Sequence, residues 1–168
     1  MRTKNIVLIG MPGVGKSTIG VVLAKNRGLS FIDSDLVIQE QEGRRLYELI
    51  EAHGLDGFLA IEERVNCSLN PKAAVIATGG SVVYGEAAMR HLREIAGVYY
   101  LRLSYEGIAD RLGDLEQRGV VLREGQSLRD LYEERTPLYE KYADRIIDCD
   151  RKSIREIVVE IAKCMERS

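Results

Sequence analysis

The strongest constraint on this chain is the run Gly10-Met11-Pro12-Gly13-Val14-Gly15-Lys16-Ser17-Thr18, together with what flanks it. Before it stands Lys4-Asn5-Ile6-Val7-Leu8-Ile9, a short apolar stretch rich in β-branched residues, which suits a buried strand. After it, Ile19-Gly20-Val21-Val22-Leu23-Ala24-Lys25 carries apolar residues at helical spacing. Strand, glycine loop and helix in this order, with the spacing G-x-x-x-x-G-K-[ST], make a phosphate-binding loop. Glycines let the backbone wrap a phosphate and turn several N–H groups inward. The helix that begins near Gly15 adds its unsatisfied N–H groups and the positive end of its dipole. Lys16 supplies a mobile full charge for the β- and γ-phosphates, and Ser17 a hydroxyl oxygen for Mg²⁺. Gly13, Val14, Gly15, Lys16, Ser17 and Thr18 are therefore the candidate nucleotide-binding residues. A dinucleotide fold is a poor match, since the glycines run G-x-x-G-x-G and the Lys-Ser pair has no role there.

Strand and helix signals alternate beyond the loop, the mark of βαβ units around a parallel sheet. The expected strands are 5–9, 31–33, 73–77, 98–103 and 146–149. The expected helices are 16–27, two or three segments over 36–69 punctuated by Gly43, Gly54 and Gly57, then 86–95, 105–115, a helix from 128 and a closing helix over 153–165. Gly28 stops the first helix as a C′ glycine does, and Gly97 is expected to end the helix over 86–95. Ser104 and Ser127 are N-cap candidates, and Pro137 is expected to break or kink its helix after Arg135. The fold class is α/β, a three-layer α/β/α architecture with a five-stranded parallel sheet. With 168 residues, no linker and no repeat, one domain over 1–168 is expected. The charged, glycine-bearing stretch 113–125 is expected to be a mobile lid over the nucleotide.

Composition narrows the function. Net charge is −2, so no basic surplus points to nucleic acid or an anionic membrane, and phosphate charge must be met by a few placed cations. Cys67, Cys149 and Cys164 are odd in number and lack C-x-x-C spacing, as in a reduced, cytoplasmic protein where thiols mostly pack. His53 and His91 are isolated, which argues against a histidine metal cluster. The first apolar run is too short for a signal peptide or a membrane span.

Asp33 and Asp35 lie at i and i+2 near the end of the second expected strand, where both carboxylates can face one side. In a phosphate-loop fold that strand ends beside the loop. Asp33 suits a water-mediated hold on Mg²⁺, and Asp35 suits orienting an acceptor hydroxyl or taking its proton. The plainer role for Asp35, in Ser34-Asp35, is a helix N-cap.

With these residues in view the chain resembles the shikimate kinases, within the nucleoside-monophosphate-kinase-like group of P-loop proteins. The matching pieces are 10–18, Phe31-Ile32-Asp33-Ser34-Asp35, Ile76-Ala77-Thr78-Gly79-Gly80, and Arg135-Thr136-Pro137-Leu138-Tyr139 followed by Tyr142-Ala143-Asp144. The resemblance implies a P-loop kinase with acceptor-binding helices over about 34–70, ATP as co-substrate, Mg²⁺, a small hydroxylated acceptor and a monomer. It places Asp33 on the magnesium side and Asp35 on the ring hydroxyls of shikimate. Gly79 and Gly80 form the turn that approaches the acceptor, and Arg135 clamps its carboxylate. Arg118 falls on the lid arginine that reaches the phosphates, and Arg111 on an arginine that packs against adenine. Plainer readings exist for three of these: Arg118 a solvated arginine, Arg135 a surface ion pair with Glu133 or Glu134, and Arg111 a residue with no mark of stacking.

Two positions depart from the family pattern. Where those enzymes carry Phe-Arg-x-x-Glu, this chain reads Phe58-Leu59-Ala60-Ile61-Glu62, so Leu59 stands where a second carboxylate-binding arginine is expected. Where they carry three glycines, it reads Gly79-Gly80-Ser81. Arg44 or Arg45 is a candidate replacement cation. Transfer of the γ-phosphate of ATP to shikimate, giving shikimate 3-phosphate, is the leading expectation. A kinase of the same fold with another hydroxylated acceptor is the alternative. A nucleotide-binding regulatory module ranks below both, since Lys16, Asp33 and Asp35 are all kept and no guanine-specifying Asn-Lys-x-Asp motif is present. A nucleoside monophosphate kinase fits less well, because the Asp33–Asp35 pair suits hydroxyl recognition better than base recognition.

Overall fold

The computed structural model describes residues 5–112 and 122–168. Five parallel strands form one sheet: β1 Ile6–Ile9, β2 Ser30–Asp33, β3 Ala74–Ala77, β4 Gly97–Arg102 and β5 Arg145–Asp148, in the order β2-β3-β1-β4-β5. β1, β3 and the central residues of β4 are fully buried, as a parallel sheet covered on both faces requires. The helices α1 Lys16–Arg27, α2 Ser34–Glu42, α3 Leu46–Ser68, α4 Glu86–Ile95, α5 Tyr105–Leu112, α6 Leu128–Tyr142 and α7 Ile154–Glu166 supply the crossovers and outer layers. The α/β class and the five-stranded parallel sheet expected from the sequence are both present. No helix among the described residues is long and apolar enough to cross a membrane.

Most boundaries follow local chemistry. α1 ends at Gly28 in the left-handed region (φ 66), and Ser127 and Ser153 cap α6 and α7, each reciprocated by an acidic residue three positions on. Four expectations need correction. All five strands differ from their expected bounds by one residue at one or both ends, because ladder partners rather than apolar content set their ends. Gly57 does not interrupt α3; the kink falls at Gly54 (φ 71). Gly97 opens β4 instead of ending α4. Pro137 does not break α6, which runs through it. The carbonyl that loses its helical partner belongs to Glu133, which is exposed, so solvent can satisfy it, while Arg135, Tyr139 and Tyr142 anchor the inner face.

The core divides in two. The main cluster joins the sheet to α1, α4, α6 and α7. A small second cluster, Ile38, Leu49, Phe58 and Val65, packs α2 against α3. Of the expected lid, residues 113–121, with Arg118, lie outside the described residues, as does the end of the helix expected to reach 115.

Candidate active site

The site lies beyond the carboxyl ends of β1, β2 and β3, where open parallel sheets bind ligands. Their alignment puts three strand ends level. Asp33 is in register with Ala77, and Leu8 with Ala77 on the other side. Thr78 locks the β3 exit to β1, its backbone N–H (3.3 Å) and hydroxyl (2.8 Å) both donating to the Leu8 carbonyl. The phosphate loop, the Asp33–Asp35 segment and the Gly79–Gly80 turn therefore emerge side by side.

The loop needs its glycines. Gly13 and Gly15 take φ of 84° and 100°, which side chains with a Cβ rarely adopt, and a Cβ on Gly13 would sit 2.9 Å from Leu112. Lys16 is 8 % exposed and donates to the carbonyls of Gly10 (2.6 Å) and Met11 (2.9 Å). Burial lowers its pKa to about 8, opposed by the charge of Asp35. Ser17 Oγ donates to Asp33 Oδ2 at 2.9 Å. Arg111 is held against the loop, its Nη1 donating to the carbonyls of Val14 (2.9 Å) and Gly13 (3.4 Å). Val14 is buried inside the loop and Thr18 is exposed on α1.

Asp33, not Asp35, caps α2: its Oδ1 accepts from the backbone N–H of Asp35 (3.0 Å) and Leu36 (3.4 Å). Asp35 is left in the first turn, free of capping duty. Burial, then the charge of Asp33, raises its pKa to about 6, and Lys16 opposes them.

Arg135 is 6 % exposed, so it is not a surface ion pair with Glu133 or Glu134. Its Nη1 lies 3.0 Å from where a Cβ on Gly80 would be, and its Nε donates to Tyr84 Oη at 3.3 Å. Tyr139 pins the same turn, donating to the Gly80 carbonyl at 2.6 Å.

Sequence reasoning gave no role to Glu62. It is 2 % exposed and stands on the buried stripe of α3 between Phe58 and Val65. A carboxylate on an apolar stripe was the signal that could have found it. Ser81 Oγ donates to its Oε1 at 2.7 Å, and Oε2 has no partner among the described residues. Burial raises its pKa to about 7, against the pull of the Ser81 hydrogen bond. A Cβ on Gly79 would lie 2.8 Å from both Asp35 Oδ1 and Glu62 Oε2, so this glycine is the gap where the two carboxyls meet. Leu59 is half-buried three residues before Glu62, and the cations that act on Glu62 are Arg135 and Lys16. Arg44 and Arg45 are exposed at the α2–α3 junction. The cluster thus holds Lys16, Asp35, Glu62 and Arg135 around a bare backbone turn, next to the phosphate loop.

Comparison with known proteins gives the family. The family model described as shikimate kinase matches residues 12–166. The shikimate kinase of Thermodesulfovibrio yellowstonii is 37 % identical over 98 % of this chain and 96 % of its own length. A solved shikimate kinase from Acinetobacter baumannii, in complex with shikimate, superposes with a TM-score of 0.88 at 31 % identity, covering 98 % of this chain and 94 % of that one. The enzyme from Aquifex aeolicus superposes with a TM-score of 0.84 at 29 % identity, covering 96 % of both chains.

Proposed function

This chain belongs to the shikimate kinase family, and from that premise we propose how its residues transfer the γ-phosphate of ATP to a hydroxyl of shikimate, giving shikimate 3-phosphate. The observation that carries the proposal is the convergence of Lys16, Asp35, Glu62 and Arg135 on the Gly79–Gly80 turn, directly beside the phosphate loop. The alternative acceptor suggested by Leu59 and Ser81 is not favoured by the relatives.

Phosphoryl transfer asks the protein mainly for position and for cations on spreading negative charge. The backbone N–H groups of 13–18 cradle the phosphates, and Lys16 turns from the Gly10 and Met11 carbonyls to the β- and γ-phosphates. Arg111, fixed on the loop, lines the nucleotide side. Arg118 is assigned the phosphate-side cation of the lid.

Ser17 and Asp33 fit Mg²⁺, because their oxygens already meet at 2.9 Å and hard oxygen donors are what this ion prefers. When bound, the ion offsets charge on the phosphate oxygens.

On the acceptor side Arg135 forks the carboxylate, while the Gly79–Gly80 backbone lets the ring approach. Asp35 accepts the hydroxyl's hydrogen bond. As the oxygen bonds to the γ-phosphorus and the bond to the β-phosphate oxygen breaks, Asp35 takes the proton and passes it to water. With a pKa of about 6 it is mostly ionised at pH 7, as this role needs. The setting is a monomeric, cytoplasmic single domain.

The test is ADP release with purified protein and Mg-ATP across shikimate, gluconate, homoserine and nucleoside monophosphates. Turnover confined to shikimate is the expected result. Turnover with another acceptor and none with shikimate, or tight ATP binding with no turnover at all, would overturn it.

A further inference from the structure

Among the described residues Arg135 is the cation beside the Gly80 turn that is placed to hold a carboxylate, and Leu59 supplies no second one. A guanidinium on a flexible stem is a poor fork until its rotation about the last bond is fixed. The structure fixes it from outside the site. The loop after β3 ends in a single 3₁₀ turn, Val82–Tyr84, which brings Tyr84 against α6. The Arg135 guanidinium carbon lies 5.3 Å from the centre of the Tyr84 ring. Arg135 Nε donates to Tyr84 Oη at 3.3 Å, and the hydroxyl donates its own hydrogen bond to Glu134 Oε1 at 2.6 Å. Glu134 is itself held: Gln126 Nε2 donates to its Oε2 at 3.0 Å. Gln126 in turn accepts from the backbone N–H of Arg123 (3.2 Å) and donates its own N–H to the Arg123 carbonyl (2.9 Å).

We propose that Tyr84 is a positioning residue for acceptor binding. Braced by Glu134, its hydroxyl takes the Nε–H of Arg135 and so presents the two terminal guanidinium nitrogens to the acceptor carboxylate. Two features make the hydroxyl suited to this. A carboxylate accepting the phenol proton makes the phenol oxygen a stronger acceptor for Arg135. Using Nε for the tyrosine keeps that nitrogen off the carboxylate and leaves Nη1 beside the Gly80 backbone, where the acceptor approaches; Tyr139 braces the same guanidinium from the other side of the turn. Glu134 is thereby kept from pairing with Arg135 directly, a contact that would neutralise the fork. The chain of hydrogen bonds ends at Arg123, so residues 123–126 help set the orientation of the acceptor arginine.

The inference rests on Arg135 as the carboxylate clamp, so the experiment separates the two. Tyr84→Phe keeps the ring against the guanidinium and removes only the hydroxyl. KM for shikimate should rise about tenfold, the usual effect of losing one hydrogen bond to a charged group. kcat should stay within about twofold, as should KM for ATP, since uniform ground-state binding is what is lost. Glu134→Ala should raise the same KM by a smaller factor, and the double variant should do no more than Tyr84→Phe alone, because both act through one path. A Tyr84→Phe enzyme with unchanged KM, beside an Arg135→Lys enzyme with raised KM, overturns the role of Tyr84 and leaves the clamp standing. If Arg135→Lys leaves KM unchanged too, the clamp itself is wrong and the inference falls with it. A fall in kcat equal to the rise in KM would also overturn it, since that marks general disruption of the site.

Discussion

Ser81 donates to one oxygen of Glu62 at 2.7 Å, while the other oxygen of that carboxyl is buried with no partner among the described residues. The two departures from the family pattern thus meet on one residue: Leu59 withholds a cation from the side of α3 that carries Glu62, and Ser81 gives it a neutral donor. A single hydroxyl is a weak substitute for a charge, and burial dominates the titration of Glu62.

This has a consequence for stability. The folded chain keeps the Glu62 proton up to about pH 7, whereas the unfolded chain releases it near pH 4.5. The fold therefore binds the extra proton between those values, and stability falls as pH rises through that window. Above pH 7 the penalty is complete, about 3 kcal/mol at ~1.4 kcal/mol per pH unit of displacement. Glu62→Gln removes it while keeping an acceptor for Ser81. Urea unfolding should find the variant more stable than the parent at pH 8 by about 3 kcal/mol and equal to it at pH 4. Equal stability at pH 8 would mean Glu62 ionises freely in the fold.

The same proton bears on acceptor binding. An ionised Glu62 faces the space where Arg135 is to hold a carboxylate, and like charges repel there. KM for shikimate should climb above about pH 7 in the parent and stay flat in Glu62→Gln. Ser81→Ala removes a hydrogen bond that favours the charged form, so the rise in KM should move to higher pH. A KM that does not change between pH 6 and 8.5 would sink this coupling.

Asp35 and Lys16 should bound the activity. The carboxyl of Asp35 must be ionised to receive the hydroxyl's proton, so kcat/KM should fall below about pH 6. Lys16 must be charged to meet phosphate, so a second fall should begin near pH 8. Asp35→Asn should lower kcat by roughly 10²–10⁴-fold and erase the acid limb. Retention of that limb in the variant would assign it to another group.

Gly79 permits the two carboxyls to meet across bare backbone. A methyl group there would lie 2.8 Å from Asp35 Oδ1 and from Glu62 Oε2. Gly79→Ala should push both oxygens aside, costing roughly 1–3 kcal/mol of stability by overpacking. It should raise KM for shikimate by at least tenfold, while ATP affinity, read by titration calorimetry, should hold. Loss of ATP affinity instead would place Gly79 on the nucleotide side.

The donor half of the site was legible because its chemistry is local. Residues 10–18 carry the glycines, the lysine and the serine in one run, and the strand and helix around them are set by the same run. The acceptor half was legible only in pieces. Asp33 takes the capping role that the sequence alone leaves open to Asp35, since the N-cap is settled by which carboxylate meets the first free N–H groups of α2. Glu62 and Tyr84 are ordinary residues in sequence. Their roles come from contacts across 19 and 51 positions, to Ser81 and Arg135, which only the fold brings about. Pro137 misled for a related reason: buried anchors on α6 outweigh one lost hydrogen bond facing water.

Leu59→Arg brings these threads to one measurement. Leu59 precedes Glu62 by three residues on α3, so both side chains lie on one side of the helix. A guanidinium there would lie within reach of Glu62 Oε2, the oxygen that now has no partner. The opposite charge would lower the Glu62 pKa and add a second donor for the acceptor carboxylate. A charge-assisted hydrogen bond contributes roughly 1.5–3 kcal/mol, so KM for shikimate should fall by about ten- to a hundredfold. The rise of KM above pH 7 should vanish as well, because Glu62 would be ionised and paired throughout. kcat should change little, since the new bond serves bound shikimate and the transition state alike. An unchanged KM together with an unchanged pH profile would show that position 59 faces away from the acceptor, and that Arg135 with its tyrosine brace is the whole of the carboxylate site.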